Sequence, residues 1–467
     1  MTFGERDLDA VARAPLGVID EAFARASRSE QAEAEEWGET ALLQAAARQL
    51  RRSLPDGEGA LVRVRGLITS TAGNEFYMGV YRDGNGKLCT GKYRDRLPPP
   101  SLDADDDARV FVRELAILAP IPHSAPWAGD TSVDVNTIIK FTSAKDMPKV
   151  GDAVDIVGIR GEGLGQQPVV HCVHYEPFEA LDHLDPERVL TQSVEEVRNE
   201  IIAFLGRNLG CTTAGEYLLL HMVSRVHSRP RKVCIGSLPL HFRPMTDEAT
   251  SVLPRRILEL YQLLRPHSTM FPLSIASLTS PETLCPRMDY ETDVLVPGPL
   301  QLASGTALIV DQTVMTEGNL PANALANLRT INSIAHSQVL AYNFMYDVEF
   351  SVDIPVLVVA PESKTLVHTV RSVAVGTTAP VPESAVVDDV DEDTLSRWRL
   401  YLSTARQMNV EIPSEIATVA ERDFVDNKTS ESGMHSALNL ARLLSASRFE
   451  SVMSRDSWAR AFALLQA

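Results

Sequence analysis

Apolar residues recur at helical spacing over the first fifty residues and then switch to alternation, and the switch marks the first boundary in the chain. Leu16, Val18, Ile19 and Phe23 make one stripe, and Trp37, Leu42, Leu43, Ala46 and Leu50 make another. Residues 1–55 are therefore expected to be a helical N-terminal segment. After a break at Leu54-Pro-Asp-Gly-Glu-Gly59 the runs LVRVRGLI, EFYMGVY and, beyond the turn Asp83-Gly-Asn-Gly86, KLCTGKY alternate as strands do. Strand-like runs resume at VFVRELAIL, TIIKFTS, DAVDIVGI and QPVVHCVHY after the Pro-rich, acidic loop LPPPSLDADDD at 97–107. Short strands at this spacing predict a small closed β-barrel over 56–180, with an OB-fold as the leading candidate.

From about Thr191 helical patterns, VEEVRNEIIAFLGRNL and AGEYLLLHMVSRVHS, alternate with the apolar runs KVCIGSLPL, TALIVDQ and IPVLVVA. That alternation predicts an α/β domain over 190–383, a sheet with helices on its faces. Beyond it four amphipathic helices are expected over 388–467, led by Leu395/Trp398/Tyr401/Leu402/Ala405/Met408 and ending with Trp458/Ala461/Phe462/Leu465. The acidic run from Asp388 to Asp393 precedes the first of them, where negative charge complements the helix dipole. No internal repeat is visible.

Composition narrows the function. In 467 residues, 44 Lys+Arg face 62 Asp+Glu, a formal charge of −18, which opposes a dedicated nucleic-acid or anionic-membrane surface. With 44% hydrophobic and 23% charged residues the chain reads as globular rather than disordered. No apolar run is long enough for a membrane span and the N-terminus is not a secretory signal. Cys89, Cys172, Cys211, Cys234 and Cys285 lie far apart, without zinc or disulfide spacing, so reduced thiols in an intracellular compartment are expected and no metal or cofactor.

The strongest chemical signal is Thr306-Ala-Leu-Ile-Val-Asp311-Gln312. An acid at the C-terminal end of an apolar strand is how a Walker B strand places a carboxylate near Mg²⁺ and phosphates. A working nucleotide site also needs GxxxxGK(S/T) after the first strand, and after the candidate first strand KVCIG the chain reads SLPLHFRPMTDEATSVL, with no glycine pair and no Lys-Ser or Lys-Thr. Gln312 orients a water but is no carboxylate base. The glycines of GIRGEGLG lack a following helix and read as a hairpin between barrel strands, and no GxSxG elbow occurs. His171 and His174 fall on opposite faces of one strand and are read as ordinary packing or exposure, not as joint ligands. Phe76, Tyr77 and Tyr81 are read as barrel core, with Tyr77 and Tyr81 on one face.

Several blocks resemble one family: EFYMGVY with GKYRD, AGEYLLLHMVSRV, GPLQLASGTALIVDQTVM, VEFSVDIPVLVV and ARLLSAS. Together they are similar to the minichromosome maintenance complex-binding proteins along nearly the whole chain, from PLGVIDEAF to SRDSWARA. The acidic insertion common in that family's N-terminal half is almost absent. The resemblance implies a factor that binds MCM helicase subunits, stands in for one of them and helps assemble or unload the complex. It implies the nucleus, with the cytoplasm as a second compartment, and association with chromatin through partners. It also implies descent from a helicase subunit: a degenerate AAA+-like domain in which Asp311 keeps the Walker B acid and Gln312 replaces its Glu. Ala360 stands at the sensor asparagine, and no arginine lies near His435 where the lid sensor falls. The expectation is a non-enzymatic binding factor without membrane or direct DNA contact. Its rivals are an ATP-binding AAA+ protein with an unconventional phosphate loop and an OB-fold single-stranded DNA binder.

Overall fold

The computed structural model describes residues 11–12, 14–26, 43, 59–82, 88–96, 109–128, 133–142, 147–163, 167–178, 193–230, 233–281, 283–291, 294–377, 379–382, 390–426 and 431–466. Apart from Leu43, the second N-terminal stripe lies outside these residues, as do the Asp83–Gly86 turn, the LPPPSLDADDD loop and Asp388-Asp389. Contacts divide the chain into two units, Met1–Ile121 with Gly129–Glu179, and Pro122–Ala128 with Ala180–Ala467.

In the first unit, helix α1 (Pro15–Ala26) buries Val18, Ile19 and Phe23. The strands are β1 (Leu61–Arg82), β2 (Leu88–Cys89), β3 (Arg109–Ala119), β4 (Thr137–Phe141), β5 (Ala153–Arg160) and β6 (Val169–Pro177). LVRVRGLI and EFYMGVY, read as two strands, are one strand of 22 residues. Its length lets it pair twice: Leu61–Leu67 lie antiparallel to β5, and Leu67–Val80 antiparallel to β3. The pairings β1-β3-β4-β6-β5 thereby return to β1 and close a ring, in which β4 and β6 are the one parallel pair. Alternation places Val62, Val64, Ile68, Ile139, Ile156 and Val170 in one buried cluster inside it.

Two aromatic expectations need correction. Tyr81 is buried, but Phe76 is 76% exposed, on a ribbon where β1 and β3 continue together and its cross-strand neighbour Val112 is exposed too. A one-residue register shift between Met78 and Val80 breaks the alternation, so Tyr77 and Tyr81 are not placed on one face by parity. His171 is also more than packing. With Glu75, Asp95, Arg113 and Lys140 it forms a nearly buried ion cluster, on the face of β4 and β6 opposite the ring interior.

The second unit opens with helices α2 (Val194–Leu209) and α3 (Thr212–Val223). Ser193 and Glu196 make a capping box at the start of α2, as the Ser-x-x-Glu spacing dictates. Next come β7 (Leu240–Pro244), α4 (Asp247–Leu264), β8 (Ser268–Pro272), the short α5 (Ile275–Thr279), and a hairpin of β9 (Arg287–Asp289) and β10 (Val294–Val296). These are followed by β11 (Ala307–Asp311), α6 (Ala322–Ser337), a second hairpin of β12 (Val339–Asn343) and β13 (Asp347–Ser351), then β14 (Val356–Val359) and β15 (Arg371–Val375). The chain ends in α7 (Glu392–Gln407), α8 (Ser414–Asp426), α9 (Glu431–Ser447) and α10 (Arg455–Gln466). Asp391 caps α7 by accepting from Thr394 N at 2.6 Å, so the acidic run ends in the capping role expected of it.

Five strands form a parallel sheet in the order β15-β7-β14-β11-β8. Every residue of β11 and β14 is buried, which is why both read as continuous apolar runs rather than alternating ones. Leu240, Phe242, Ile309 and Leu357 share one core with helices α2, α3, α4 and the four C-terminal helices. The first strand of this sheet is LHFRP, not KVCIG. Residues 233–236 make only an isolated bridge, Ser228 with Ile235, because Gly236 turns the chain at φ +106°, with Arg225 O so close that a Cβ would lie 2.1 Å from it. The segment 122–128 also packs in this unit: Trp127 lies under the Arg399 guanidinium at 4.2 Å, and its indole N–H donates to Gln262 O. Among the described residues no helix is long and apolar enough to cross a membrane.

Candidate functional site

The C-terminal ends of parallel strands are where such sheets bind ligands, and there the structure brings Asp311, Gln312 and Ala360 together. Asp311 ends β11 and pairs in register with Val359, the residue before Ala360. Its Oδ1 accepts from the backbone N–H of Thr313 at 2.9 Å and from the Thr313 hydroxyl at 2.6 Å, so this oxygen is spent on a local turn. Gln312 is 6% exposed. Its Oε1 accepts from Leu366 N at 2.9 Å, pinning the segment that follows β14, while its own N–H donates to Val359 O. Ala360 is fully buried, its N–H donates to Phe242 O, and its carbonyl accepts from His241 Nε2 at 3.0 Å. Burial pushes the His241 pKa down, so the ring is neutral at pH 7 and donates from Nε2.

The phosphate side of such a site is closed by the chain itself. Only Met245 and the N-cap Thr246 separate β7 from α4, too few residues to wrap around a phosphate. The Thr246 hydroxyl accepts from Ala249 N at 3.1 Å, and the first turn carries Asp247 and Glu248. A helix N-terminus attracts phosphate through free N–H groups and positive potential; here one N–H is capped and two carboxylates oppose the potential. A cavity of about 540 Å³ lies nearby, lined by His241, Asn332, Thr365, His368 and Ser372, and it includes neither Asp311 nor Gln312. His435 is exposed on α9, and no hydrogen bond or ion pair joins it to the strand-end group. Among the described residues no three His, Cys, Asp or Glu side chains are grouped to hold a metal.

Sequence reasoning missed a second feature. The four-stranded sheet β10-β9-β12-β13 sets β12 parallel to β9, Asn343 opposite Arg287, so the turns that end both hairpins lie on one side. Those turns carry Met345 at 87% exposure, Tyr346 at 75% and Tyr290 at 55%. Large apolar side chains this exposed and this close in register are a protein-contact signature.

The comparisons with known proteins agree with one another. A family model described as the mini-chromosome maintenance replisome factor matches residues 52–151 and 166–467. The chain is similar to the mini-chromosome maintenance complex-binding protein of Arabidopsis thaliana, 24% identical over 511 aligned positions that cover 85% of each chain. It is 30% identical to the protein of that name from Danio rerio, over 63% of this chain and 50% of the relative. With the Drosophila melanogaster protein the identity is 31%, over 52% of this chain and 42% of the relative. The match thus spans half or less of these two animal relatives.

Proposed function

From a chain that belongs to the family of mini-chromosome maintenance replisome factors, we propose a non-enzymatic factor that binds the MCM complex in the nucleus. In this reading it occupies the place of one helicase subunit and assists assembly of the complex or its unloading from chromatin. The single observation that carries the reading is a nucleotide-type sheet whose site is filled by its own chain, with Gln312 pinning Leu366 and two residues in place of a phosphate loop. A degenerate AAA+-like domain is supported by the parallel order β15-β7-β14-β11-β8, and a lid by the four helices after residue 390. An OB-like barrel is supported by the closed five-strand ring with its one parallel pair. Single-stranded DNA binding is opposed by the net charge of −18, although the exposed ribbon carries Phe111 as well as Phe76, with the Tyr77 ring 6.0 Å from that of Phe111.

Two outcomes test this. Titration with labelled ATP and Mg²⁺ is expected to give no saturable binding even at millimolar nucleotide, with Asp311→Ala indistinguishable from wild type. Saturable binding that Asp311→Ala weakens would establish the ATP-binding rival instead. The full chain, immobilised in nuclear extract, is expected to retain MCM subunits identified by mass, and Met345→Asp/Tyr346→Asp to reduce retention about tenfold or more at unchanged melting temperature. Retention of none by the wild type sinks the proposal. Equal retention by the double variant moves the contact away from the hairpin turns.

A further inference from the structure

At the opposite end of the parallel sheet, where its strands begin, three guanidinium groups gather around one carboxylate. Arg265 follows α4, Arg406 lies on α7, and Arg225 lies after α3. Asp353, just before β14, is the acid among them, and both its oxygens are engaged: Oδ1 by Val226 N at 3.0 Å and Oδ2 by Arg406. Arg406 also donates to Ser224 O, and Arg225 donates to Asn409 Oδ1 at 2.9 Å and Gln407 O at 3.2 Å. Arg265 differs. It is 7% exposed, and among the described residues its guanidinium has no hydrogen-bond acceptor and no ion pair.

Gly305, just before β11, shapes the space beside it. It sits at φ +83°, and a Cβ there would lie 3.4 Å from Arg406 Nη2 and 3.6 Å from Arg265 Nη2. Two guanidinium groups from different elements thus lie beside Gly305, with no side chain standing between them there. The neighbouring histidines do not add to the positive charge, since burial holds both His221 and His267 down to about 4. Three cations against one fully engaged carboxylate leave a positive excess, and Arg265 meets it without a protein acceptor of its own among the described residues.

We propose that Arg265 and Arg406, over Gly305, bind a small inorganic anion, chloride or phosphate, which supplies the missing acceptor and fastens α7 to the strand ends. The site is independent of the Asp311 region and of MCM binding. Its test uses the full chain at constant sodium and ionic strength, exchanging gluconate for chloride in one series and for phosphate in another. The wild type is expected to show a saturable rise in melting temperature of about 2 °C or more in at least one series. Chloride binding is also expected to broaden the ³⁵Cl resonance, and phosphate to reverse the broadening if it is the preferred ligand. Arg265→Met, which keeps the length but removes the charge, is expected to raise the half-saturating concentration at least tenfold with unchanged circular dichroism. If that variant does not fold, Arg265→Lys decides, since it keeps the charge but not the guanidinium geometry, and a threefold or greater weakening is expected. No saturable effect in the wild type overturns the proposal, as does an equal half-point in wild type and the folded variant.

Discussion

Replacing Glu216 by alanine is expected to destabilise the second unit by about 3–5 kcal/mol, the usual cost of leaving a buried cation without its partner. Glu216 lies on α3, and both it and Arg198 of α2 are 4% exposed. Arg198 donates to Glu216 Oε1 at 2.6 Å and to the Ser447 hydroxyl of α9 at 3.0 Å, while Arg460 of α10 reaches Glu216 Oε2. One carboxylate therefore ties α3 to α2 and α10, and through Arg198 to α9. Truncation strands Arg198 in an apolar core, whereas Arg460, 47% exposed, turns to water. The double variant Glu216→Ala/Arg198→Met is expected to recover part of the loss, because it removes the stranded charge together with its partner. Denaturant unfolding of the three proteins at pH 7 checks this, and a single variant within about 1 kcal/mol of wild type contradicts it. The pH dependence has a definite sign. Burial alone would raise the Glu216 pKa, but hydrogen bonds from Arg460 and Arg198 outweigh it and hold the carboxyl below the usual range. A depressed folded pKa means the contribution is complete above the unfolded value near ~4.3 and is lost as pH falls through the folded one. The wild type should therefore lose stability on acidification more steeply than Glu216→Ala.

The parts of the fold legible in the sequence are those with an unbroken period. Helix α2 was readable to the residue because Ser193 and Glu196 announce its start and the apolar stripe runs to Leu209. Strands β3 to β6 and the four last helices declared themselves in the same way. Helix α4 was not assigned: Pro254 sits inside it and LHFRP stands before it between prolines, and the strand is fixed only when the sheet pairs Leu240–Phe242 with Leu357–Val359. The division of β1 into two runs had a similar cause, since Gly66, Gly73 and Gly79 punctuate a strand that only its two pairing partners hold continuous.

At the strand ends, the sequence revealed what is absent more readily than what replaces it. The missing phosphate loop was visible as spelling, and the structure adds that β7 runs into α4 after two residues. That Gln312 acts as an anchor for Leu366 could not be read, because an amide's partner 54 residues away leaves no periodic trace. The same holds for Asp95, Lys140 and His171, whose proximity comes from the register of β4 and β6 and from the return of the chain after β2.

Those three residues set the second large effect. Asp95→Ala is expected to destabilise the first unit by about 3–5 kcal/mol. Asp95 Oδ1 accepts from Lys140 Nζ at 2.7 Å and from Arg113 at 3.3 Å, and Oδ2 accepts from His171 Nε2 at 3.0 Å and from Glu162 N at 2.9 Å. Lys140 also meets Glu75 at 2.6 Å, and Arg113 donates toward His171 Nδ1 at 3.2 Å, which fixes the neutral ring as an acceptor there and a donor to Asp95. The Lys140 and Arg113 side chains are 4% and 5% exposed, so water cannot take over when Asp95 is removed, and Glu75 alone remains for two cations. Burial would raise the Asp95 pKa, yet the hydrogen bonds with His171 and Lys140 carry it well below the carboxylate range. Its contribution is therefore present above the unfolded value near ~3.9 and lost as pH falls through the depressed one. His171 adds a second slope of the same sign: burial lowers its pKa, so below about pH 6.5 the unfolded chain takes up a proton that the folded chain refuses. Stability of the first unit should thus begin to fall below about pH 6.5 and drop further toward pH 3. Asp95→Ala/Lys140→Met is expected to be less damaging than the sum of its single changes by about 1–3 kcal/mol, since each single variant leaves a buried partner unpaired and the double variant does not. Additive losses across that cycle would mean that the cluster is wet and that the packing of β4 against β6, rather than its charges, holds this side of the ring.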